Sequence, residues 1–304
     1  MSTFAQSVVP THTNNPEPWL INDIGRLLVS CPDRPGIVAS VSRLITEHGG
    51  NILSLDQFTT GLDDGQFFQR TVFHLPGLSA RRNNLERDIE TDLAGEFQAT
   101  WRLTEASKRK RVAIFASKTD HCLLDLLWRH KRGEIPMDIV MVVSNHADLA
   151  DAVRPFGIPY FHVPIIDGDK TAAETKHLEL LAGNADLVVL ARYMQIISED
   201  FLDMVKVPVI NIHHSFLPAF IGAGPYRKAK DRGVKLIGAT AHYVTKDLDE
   251  GPIIEQDVVR VSHNDSVSQL MRSGADVERA VLSRAVTWHC EDRVMVHGNT
   301  TIVF

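Results

Sequence analysis

The hydrophobic and polar positions in the first third of the chain predict a short series of elements. Apolar residues spaced three or four apart predict a helix from Ile37 to Ile45, and short apolar runs predict strands around it. These strands are expected at 27–29, 51–60, 65–75 and 97–103, with a second helix before the last of them. The order βαββαβ is typical of a ferredoxin-like α+β sandwich, in which two helices cover one face of a four-stranded antiparallel sheet.

A polar and basic stretch from Ser107 to Arg111 separates this pattern from a different one. Beyond it, short β-branched runs alternate with helical patterns, which predicts a doubly wound α/β domain with a mostly parallel sheet. The runs lie at 112–115, 139–143, 187–190, 207–212, 238–244 and 253–261, and a long helix is expected at 267–289. The predicted organisation is a disordered lead-in at 1–20, a first domain at 21–106 and a second domain at 107–304.

Composition places the chain among ordinary globular proteins, with 44% hydrophobic and 23% charged residues. A formal charge of -6 gives no general attraction to nucleic acid or anionic membranes, and no apolar run is long enough to predict a membrane span. The first residues lack the pattern of a secretory signal, and the three cysteines include no CxxC pair. We therefore expect a cytoplasmic protein with reduced thiols that binds neither nucleic acid nor membrane.

Candidate chemistry begins at the end of the strand 207–212. Asn211 and His213 are two residues apart, so on a strand both side chains point to the same face. The strand leads into a segment with serine, proline and glycine, which places the pair near its carboxyl end, where open α/β sheets bind ligands. For an isolated Asn-x-His pair, hydrogen bonding to a neighbouring loop is the simpler interpretation.

A second candidate is the strand 238–244 with the acidic turn that follows it. His242 lies near the end of this strand, and Asp247 and Asp249 lie in the turn. Aspartate and glycine favour turns for backbone reasons alone, so this segment by itself predicts a surface loop. Only its combination with the Asn-x-His pair favours a site.

Together these motifs resemble those of the folate-dependent formyltransferases. The resemblance rests on Asn-Ile-His at 211–213, with Ser-Phe-Leu-Pro at 215–218, and on His242 and Asp-Leu-Asp-Glu-Gly at 247–251. The segment Cys-Pro-Asp-Arg-Pro-Gly-Ile-Val at 31–38 resembles an ACT domain, a ligand-sensing and oligomerising module. An ACT domain joined to a formyltransferase domain is the arrangement of the formyltetrahydrofolate deformylase family.

This resemblance implies hydrolysis of 10-formyltetrahydrofolate to formate and tetrahydrofolate, which would supply formate for one-carbon and purine metabolism and balance the folate pool. It implies a catalytic trio of Asn211, His213 and Asp249, substrate contacts from His242 and Asp247, and no metal or other cofactor. It also implies a folate-lining loop formed by Arg192, Tyr193, Met194, Gln195, Ile196 and Ile197.

Elementary chemistry supports these implied roles. Attack on a formyl amide places negative charge on the carbonyl oxygen, and the amide of Asn211 and a protonated His213 are suitable donors to it. Asp249 beside the histidine would favour the imidazolium and could orient or deprotonate the attacking water. Because free histidine titrates at about 6.5 and aspartate at about 3.9, the identity of the base has to come from geometry.

The implied folate-lining loop also has other interpretations. Its apolar residues can form walls for a flat pterin while backbone groups bind the pterin edge. For Ile196 and Ile197, core packing under a helix start is a nearly equal alternative. Arg192 is a stronger candidate, because a charged residue beside an apolar strand is rarely accidental, and pairing with Asp186 or Asp200 is its alternative.

The loop at 115–122 bears on the choice between hydrolysis and transfer to an amine. In the ribonucleotide transformylases a glycine-rich loop here holds the phosphate of the acceptor, and this chain has no glycine between Val112 and Arg132. Asp120 would repel a phosphate, although capping of the next helix explains it equally well. Water is therefore the expected nucleophile. A formyltransferase with an unidentified amine acceptor is the alternative, and a non-catalytic sensor is disfavoured because the catalytic trio is retained.

Several histidines could also indicate the metal site of a metal-dependent hydrolase. His213 and His214 are adjacent, so on a strand they face opposite ways and cannot readily chelate one ion. No HExxH or HxxEH helix occurs, and His162 and His177 are expected on the surface or in loops. These observations predict a reaction without a metal.

A regulatory site is expected where the first strand meets the first helix. Asp33, Gly36 and Ile37 lie there, and backbone N–H groups at a helix start can bind the carboxylate of a small ligand. The resemblance implies an amino-acid effector, whereas a helix start with Pro35 in its first turn explains the residues alone. The exposed antiparallel sheet of this unit predicts a homo-oligomer.

Overall fold

The structure of the protein is a computed structural model, and it describes residues 22–61, 64–219 and 224–304. The predicted lead-in at 1–20 lies outside the described residues, and so do Leu62 and Asp63 of the connection between the second and third predicted strands. Among the helices in the three described ranges, none is both long and apolar enough to cross a bilayer.

The first unit is a four-stranded antiparallel sheet with two helices on one face. Its elements are β1 (Ile24–Pro32), α1 (Ile37–Glu47), β2 (Asn51–Thr59), β3 (Gln66–His74), α2 (Leu78–Ile89) and β4 (Thr100–Glu105). The strand order is β2-β3-β1-β4, as the βαββαβ pattern predicts. A short π-helix, Glu90–Gly95, prolongs α2, and β4 begins at Thr100 rather than at residue 97. The reason is that Phe97 packs into the core under the helices before the strand starts.

Strand β1 is buried on both faces, and the two faces have different neighbours. Leu27 and Val29 alternate on the face that packs against the helices. Arg26 points to the opposite face, where its Nη1 lies 3.3 Å from Asp292 Oδ2 in the second unit. This two-sided burial explains the continuous apolar run of β1, and it holds the two units against each other.

The polar and basic stretch at 107–111, which separates the two sequence patterns, does not lie wholly between the two units. Lys110 and Arg111 already belong to the first strand of the second unit. Lys110 Nζ lies 2.6 Å from Asp292 Oδ1, and Arg111 Nη2 lies 2.8 Å from Asp186 Oδ1. The basic run is therefore paired with carboxylates of the second unit, which its composition alone does not indicate.

The second unit contains a seven-stranded sheet with helices on both faces and a small C-terminal hairpin. The strands are β5 (Lys110–Ala116), β6 (Met137–Ser144), β7 (Tyr160–His162), β8 (Leu187–Leu190), β9 (Val209–His213), β10 (Leu236–Tyr243), β11 (Ile253–Arg260), β12 (Val294–His297) and β13 (Thr300–Val303). The helices are α3 (His121–Arg132), α4 (Ala150–Val153), α5 (Lys170–Leu181), α6 (Glu199–Val205), α7 (Pro225–Arg232) and α8 (Val267–Cys290), with a 3₁₀-helix at Arg154–Phe156. Helices α3 and α8 pack on one face of the large sheet, and α5 and α6 pack on the other.

The strand order of the large sheet determines where a site can form. The order is β11-β10-β9-β8-β5-β6-β7, in which β9 to β7 are parallel and β10 and β11 are antiparallel to their neighbours. The chain runs outward from β5 to β7 and then returns to β8 on the other side of β5. The carboxyl ends of β5 and β8 therefore form a topological switch point, where open α/β sheets bind ligands.

The hydrophobic pattern does not predict β7 or the hairpin of β12 and β13. These strands have three or four residues each, and Val296 and Val303 are 52% and 36% exposed. Runs this short and this exposed cannot be separated from loops by periodicity. The other predicted strands of this unit overlap the observed ones, and the prediction at 187–190 coincides with β8.

Candidate active site

Four polar side chains meet at the carboxyl end of β9. Asn211 and His213 lie two residues apart on this strand, and His242 lies opposite Asn211 on the antiparallel strand β10. Asn211 Nδ2 lies 3.2 Å from His242 Nε2. Asp249, in the turn after β10, places its Oδ1 3.2 Å from His213 Nδ1 and 3.8 Å from His242 Nε2. The structure thus brings the predicted catalytic trio together, with His242 in contact with two of its members.

Two backbone features allow the turn that carries Asp249. Asp249 has a φ of 58°, in the left-handed region that aspartate enters more readily than most residues. Gly251 packs so closely that an added Cβ would lie 1.9 Å from the carbonyl oxygen of Tyr243. A side chain at position 251 would push the turn away from β10, and the carboxylate of Asp249 would move away from His213.

The protonation of these groups follows from their surroundings. The hydrogen bond from His213 holds the pKa of Asp249 below its usual range, against the opposing effect of burial, so this carboxylate is charged at neutral pH. Burial lowers the pKa of His242, which keeps its ring neutral. His242 Nδ1 lies 3.0 Å from the carbonyl oxygen of Tyr243, which can only accept. Nδ1 therefore carries the proton, and Nε2 accepts from the amide of Asn211.

His213 has one ring nitrogen engaged and one without a partner. Its Nδ1 donates to Asp249, because a charged carboxylate only accepts. Its Nε2 is buried and has no hydrogen-bond partner among the described residues. Buried polar atoms are usually paired, so an unpaired nitrogen in a cavity wall is suited to exchange a proton with a bound molecule.

A cavity of about 390 Å³ opens in front of these side chains. Its wall includes the four polar residues and the whole of the predicted folate-lining loop at 192–197. Met194 and Ile196 are 56% and 58% exposed, whereas Tyr193 is buried and its ring contacts Phe115. The loop lies where the sequence places it, and Met194 and Ile196 rather than Tyr193 supply its open apolar surface.

The connection between β5 and α3 supports this loop. Ser117 Oγ accepts a hydrogen bond from the backbone N–H of Met194 at 3.0 Å and donates one to Asn145 Oδ1 at 2.8 Å. Asp120 lies at the N-cap of α3, but its side chain does not form the capping hydrogen bond. Capping therefore does not account for this aspartate, and Ser117 serves the loop rather than a free anion site.

Of two predicted substrate residues, Asp247 lies outside the cavity and Arg192 lies in its wall, as expected. Asp247 is exposed and is not part of the cavity wall, because the turn directs Asp249 rather than Asp247 toward β9. Arg192 does line the cavity. Its guanidinium pairs with neither Asp186 nor Asp200, and its Nε lies 3.4 Å from Glu278 Oε2.

Two histidines also correct the sequence interpretation. His177 is 1% exposed rather than on the surface, because it shares the buried face of α5 with Ala173 and Leu181, and burial lowers its pKa to about 4. His214 lines the cavity, and its ring centroid lies 5.3 Å from that of His213. Strand β9 ends at His213, so the alternation of strand side chains does not extend to His214. Burial lowers the pKa of His214 to about 4, so its ring is neutral.

One group among the described residues has the composition of a metal site. Ligand atoms of His121, Cys122 and Glu278 lie within 4.8 Å of one another. The same Glu278 accepts a hydrogen bond from Tyr226 at 2.6 Å and lies beside the guanidinium of Arg192. A fixed cation next to the carboxylate opposes a bound metal ion, so these contacts are better explained as a hydrogen-bonded cluster.

Both units match known families. The ACT domain family matches residues 25–86, and the Formyl transferase family matches residues 110–286. A formyltetrahydrofolate deformylase from Mycobacterium tuberculosis is 63% identical over 282 residues, which are 93% of this chain and 91% of that protein. The chain belongs to the formyltetrahydrofolate deformylase family.

Solved structures agree with membership of the deformylase family. The formyltetrahydrofolate deformylase from Pseudomonas syringae is 48% identical with a TM-score of 0.86, covering 92% of this chain and 94% of that chain. A glycinamide ribonucleotide transformylase from Symbiobacterium toebii is 31% identical with a TM-score of 0.61, covering 64% of this chain and 94% of that one. The predicted fold class, a ferredoxin-like ACT unit followed by a doubly wound formyltransferase unit, is confirmed.

The segment predicted to bind an effector borders a separate cavity of about 510 Å³ in the ACT unit. Gly36 is the N-cap of α1 with a φ of 103°, which glycine adopts without strain. Asp33 Oδ2 accepts a hydrogen bond from Thr59 Oγ1 at 2.8 Å, and Ile37 is buried in the core. Helix α1 starts at Ile37, so Pro35 precedes the helix and does not lie in its first turn.

Sequence reasoning missed three residues behind the deformylase cavity, namely His121, Tyr226 and Glu278. They come from α3, α7 and α8, so no local motif joins them. One signal was available: Glu278 lies between Val277 and Val281 on the buried stripe of α8, and a carboxylate in such a stripe is rare unless it is paired.

Proposed function

We propose that this protein hydrolyses 10-formyltetrahydrofolate to formate and tetrahydrofolate without a metal ion or other cofactor. The observation that supports this most directly is that Asn211, His213 and Asp249 line one cavity, with His213 and Asp249 in contact, in a chain of the deformylase family. The exposed apolar surface of Met194 and Ile196 suits the flat pterin of a folate, and the polar group suits its formyl amide.

The geometry gives each catalytic residue a role. Asn211 donates one amide hydrogen to His242 and has a second for the formyl oxygen, where negative charge develops. His213, with its unpaired Nε2, donates to the same oxygen or passes a proton to the leaving nitrogen. The charged Asp249 orients His213 through one carboxylate oxygen, and the other oxygen can accept a proton from the attacking water.

We expect the purified protein to release formate and tetrahydrofolate in equal amounts from 10-formyltetrahydrofolate in the presence of a chelator and without an added amine. The reason is that the proposed nucleophile is water and every proposed catalytic group belongs to the chain. Formate and tetrahydrofolate are measured separately over time. No formate from folded protein contradicts the proposal, and activity that chelation removes and zinc restores contradicts its metal-free form.

We also propose an amino-acid effector at the cavity beside α1, where backbone N–H groups of the helix start can bind a carboxylate. Titration of the full chain with each common amino acid should show saturable binding of at least one. Gly36→Ala should weaken that binding, because alanine at a φ of 103° distorts the helix start. Gly133→Ala, at a φ of 72° in α3's C-cap, is the matched control and should bind normally. Absence of saturable binding to the parent chain contradicts this proposal.

Location and assembly remain part of the proposal. We propose a cytoplasmic homo-oligomer that binds neither nucleic acid nor membrane, in keeping with the formal charge of -6 and three free cysteines, all buried. Strand β2 is an edge of the ACT sheet and carries Leu53 and Phe58, which are 53% and 48% exposed. An open edge with exposed apolar side chains is suited to pairing with a second copy.

A further inference from the structure

Four side chains, from three helices and the loop after β8, meet in the crevice between the carboxyl ends of β5 and β8. They are His121 at the start of α3, Arg192 after β8, Tyr226 on α7 and Glu278 on α8, and we name them the crevice cluster. Glu278 is 2% exposed and accepts hydrogen bonds from His121 Nε2 at 2.8 Å and from Tyr226 Oη at 2.6 Å. Its Oε2 also lies 3.4 Å from Arg192 Nε. The cluster thus closes the switch point of the sheet with polar side chains rather than apolar ones.

The backbone makes room for this cluster at two positions. Arg192 has a φ of 63°, a conformation that glycine adopts freely and that residues with side chains rarely adopt. On α8, a Cβ at Gly274 would lie 1.9 Å from the hydroxyl of Tyr226, so only glycine lets Tyr226 reach Glu278. Unfavourable backbone conformations concentrate at functional sites, so this φ points to a functional role for the side chain of Arg192.

The crevice cluster lies next to the catalytic group. The apolar surface proposed for the pterin comes from segments after β8 and after β10, on either side of β9, whereas the cluster lies between β8 and β5. The two regions meet at Arg192 and His214, which both line the cavity. The ring centroid of His214 lies 6.1 Å from that of Tyr226 and 5.3 Å from that of His213. His214 therefore links the catalytic His213 to Tyr226 of the crevice cluster through ring contacts on both sides.

We infer that the crevice cluster restricts the reaction to water, because it occupies the space that an amine acceptor would need beside the formyl group. The inference rests on the proposed hydrolysis. In transfer to an amine, the amine nitrogen bonds to the formyl carbon, the bond from that carbon to N10 breaks, and the proton lost by the amine goes to N10. Such an acceptor needs an open crevice at the sheet edge, and the switch point is where this fold provides one.

Entry of an acceptor amine into the crevice would be energetically unfavourable, because the crevice cluster is buried. An amine in the crevice would have to displace the guanidinium of Arg192 and leave the carboxylate of Glu278 without its cation. Water is small enough to reach the formyl carbon from the cavity without this displacement. A glycinamide ribonucleotide transformylase shares the fold of this unit, so the fold itself does not exclude an acceptor.

The test is the double variant Arg192→Gly with Glu278→Gln. Glycine suits the φ of 63°. Glutamine keeps an oxygen for one of Tyr226 and His121 and offers an N–H to the other, since a tyrosine hydroxyl and a neutral histidine nitrogen can also accept, and it removes the charge that would be left unpaired. Variant and parent chain receive 10-formyltetrahydrofolate and glycinamide, a small primary amine, and formate and N-formylglycinamide are measured by mass spectrometry. We expect the ratio of N-formylglycinamide to formate to rise about tenfold or more in the variant, because a pocket enlarged by a side chain changes discrimination by that order.

The matched control is Arg284→Ala on the same helix, since Arg284 pairs with Glu255 and Asp257 away from the cluster. Its product ratio should equal that of the parent chain. An unchanged ratio in a folded double variant that still releases formate overturns the inference, and so does a parent chain that already formylates glycinamide as readily as the variant.

Failure of the proposed hydrolysis and unfolding of the double variant can both be distinguished from failure of this inference. A parent chain that releases no formate contradicts the proposed hydrolysis instead. If circular dichroism shows that the double variant is unfolded, the ratio is measured with His121→Ala, which opens the crevice from α3 and keeps the pair of Arg192 and Glu278. An unchanged ratio in that folded variant also overturns the inference.

Discussion

Asp249→Asn is expected to lower kcat for formate release by about two to four orders of magnitude, the range that a general acid or base contributes. Asparagine keeps the size of the side chain and an oxygen that can accept from His213 Nδ1, but it removes the negative charge. The φ of 58° at this position also suits asparagine, so the turn should persist. Steady-state formate release at saturating 10-formyltetrahydrofolate measures the change.

The dependence of activity on pH provides a second test of Asp249→Asn. The hydrogen bond from His213 lowers the pKa of Asp249, and the proposed role needs the carboxylate in its charged form. Activity of the parent chain that depends on this charge is therefore retained above about pH 4 and lost as the pH falls through the lowered pKa. Asp249→Asn should lack this acid limb.

Glu250→Gln is the matched control for Asp249→Asn. It lies in the same turn, its side chain is exposed, and the substitution makes the same change of charge. We expect it to retain the kcat of the parent chain. Full activity in Asp249→Asn would remove Asp249 from the mechanism, and equal losses in both variants would show that the turn, not the carboxylate, had been disturbed.

The location of the polar group could be predicted from local rules, but its contacts could not. Asn211 and His213 share a face because strand side chains alternate, and the end of β9 lies at the ligand-binding edge of the sheet. The contact of Asp249 with His213 depends on a left-handed φ and on the close packing of Gly251 against Tyr243. No periodicity encodes these features, so only the resemblance pointed to Asp249.

The same limit explains the errors at the borders of the site. The alternation of strand side chains does not hold for His214, because this residue lies one position beyond the end of β9. The alternative interpretation of Arg192 pairs it with the nearby carboxylates Asp186 or Asp200, whereas its observed partner, Glu278, is 86 positions away, the difference between the two residue numbers. Long-range pairs of this kind depend on how α8 packs against the sheet, which is a property of the folded chain and not of a local pattern.

The border between the ACT unit and the catalytic unit holds a second long-range group, centred on Asp292. This residue is 1% exposed, and its carboxylate lies 2.6 Å from Lys110 Nζ and 3.3 Å from Arg26 Nη1. Thr104 Oγ1 donates to it at 2.8 Å, and Arg102, which is half exposed, lies 3.4 Å away. One buried carboxylate thus joins β1 and β4 of the ACT unit to β5 and the end of α8.

Asp292→Asn is expected to lower the free energy of unfolding by about 3 kcal/mol or more, because loss of one partner leaves buried cations uncompensated. Arg26 is 5% exposed and would remain in the border without its carboxylate. Asparagine fits the φ of 54° at this position, so the substitution tests the charge rather than the backbone. Denaturant unfolding followed by circular dichroism measures the loss, and calorimetry shows whether the two units then unfold separately.

Asp138→Asn is the control, because Asp138 is 57% exposed and pairs with Arg109 at 3.7 Å, a surface pair worth at most about 1 kcal/mol.

The stability that Asp292 contributes is also expected to depend on pH. Burial alone would raise the pKa of Asp292, but the cations around it, Lys110 first, lower it below its usual range. Its contribution is therefore complete above about pH 4, the unfolded pKa, and is lost as the pH falls through the folded pKa. The stability difference between the parent chain and Asp292→Asn should be constant near neutral pH and shrink in acid; a variant as stable as the parent at pH 7 would show that the carboxylate does not hold the units together.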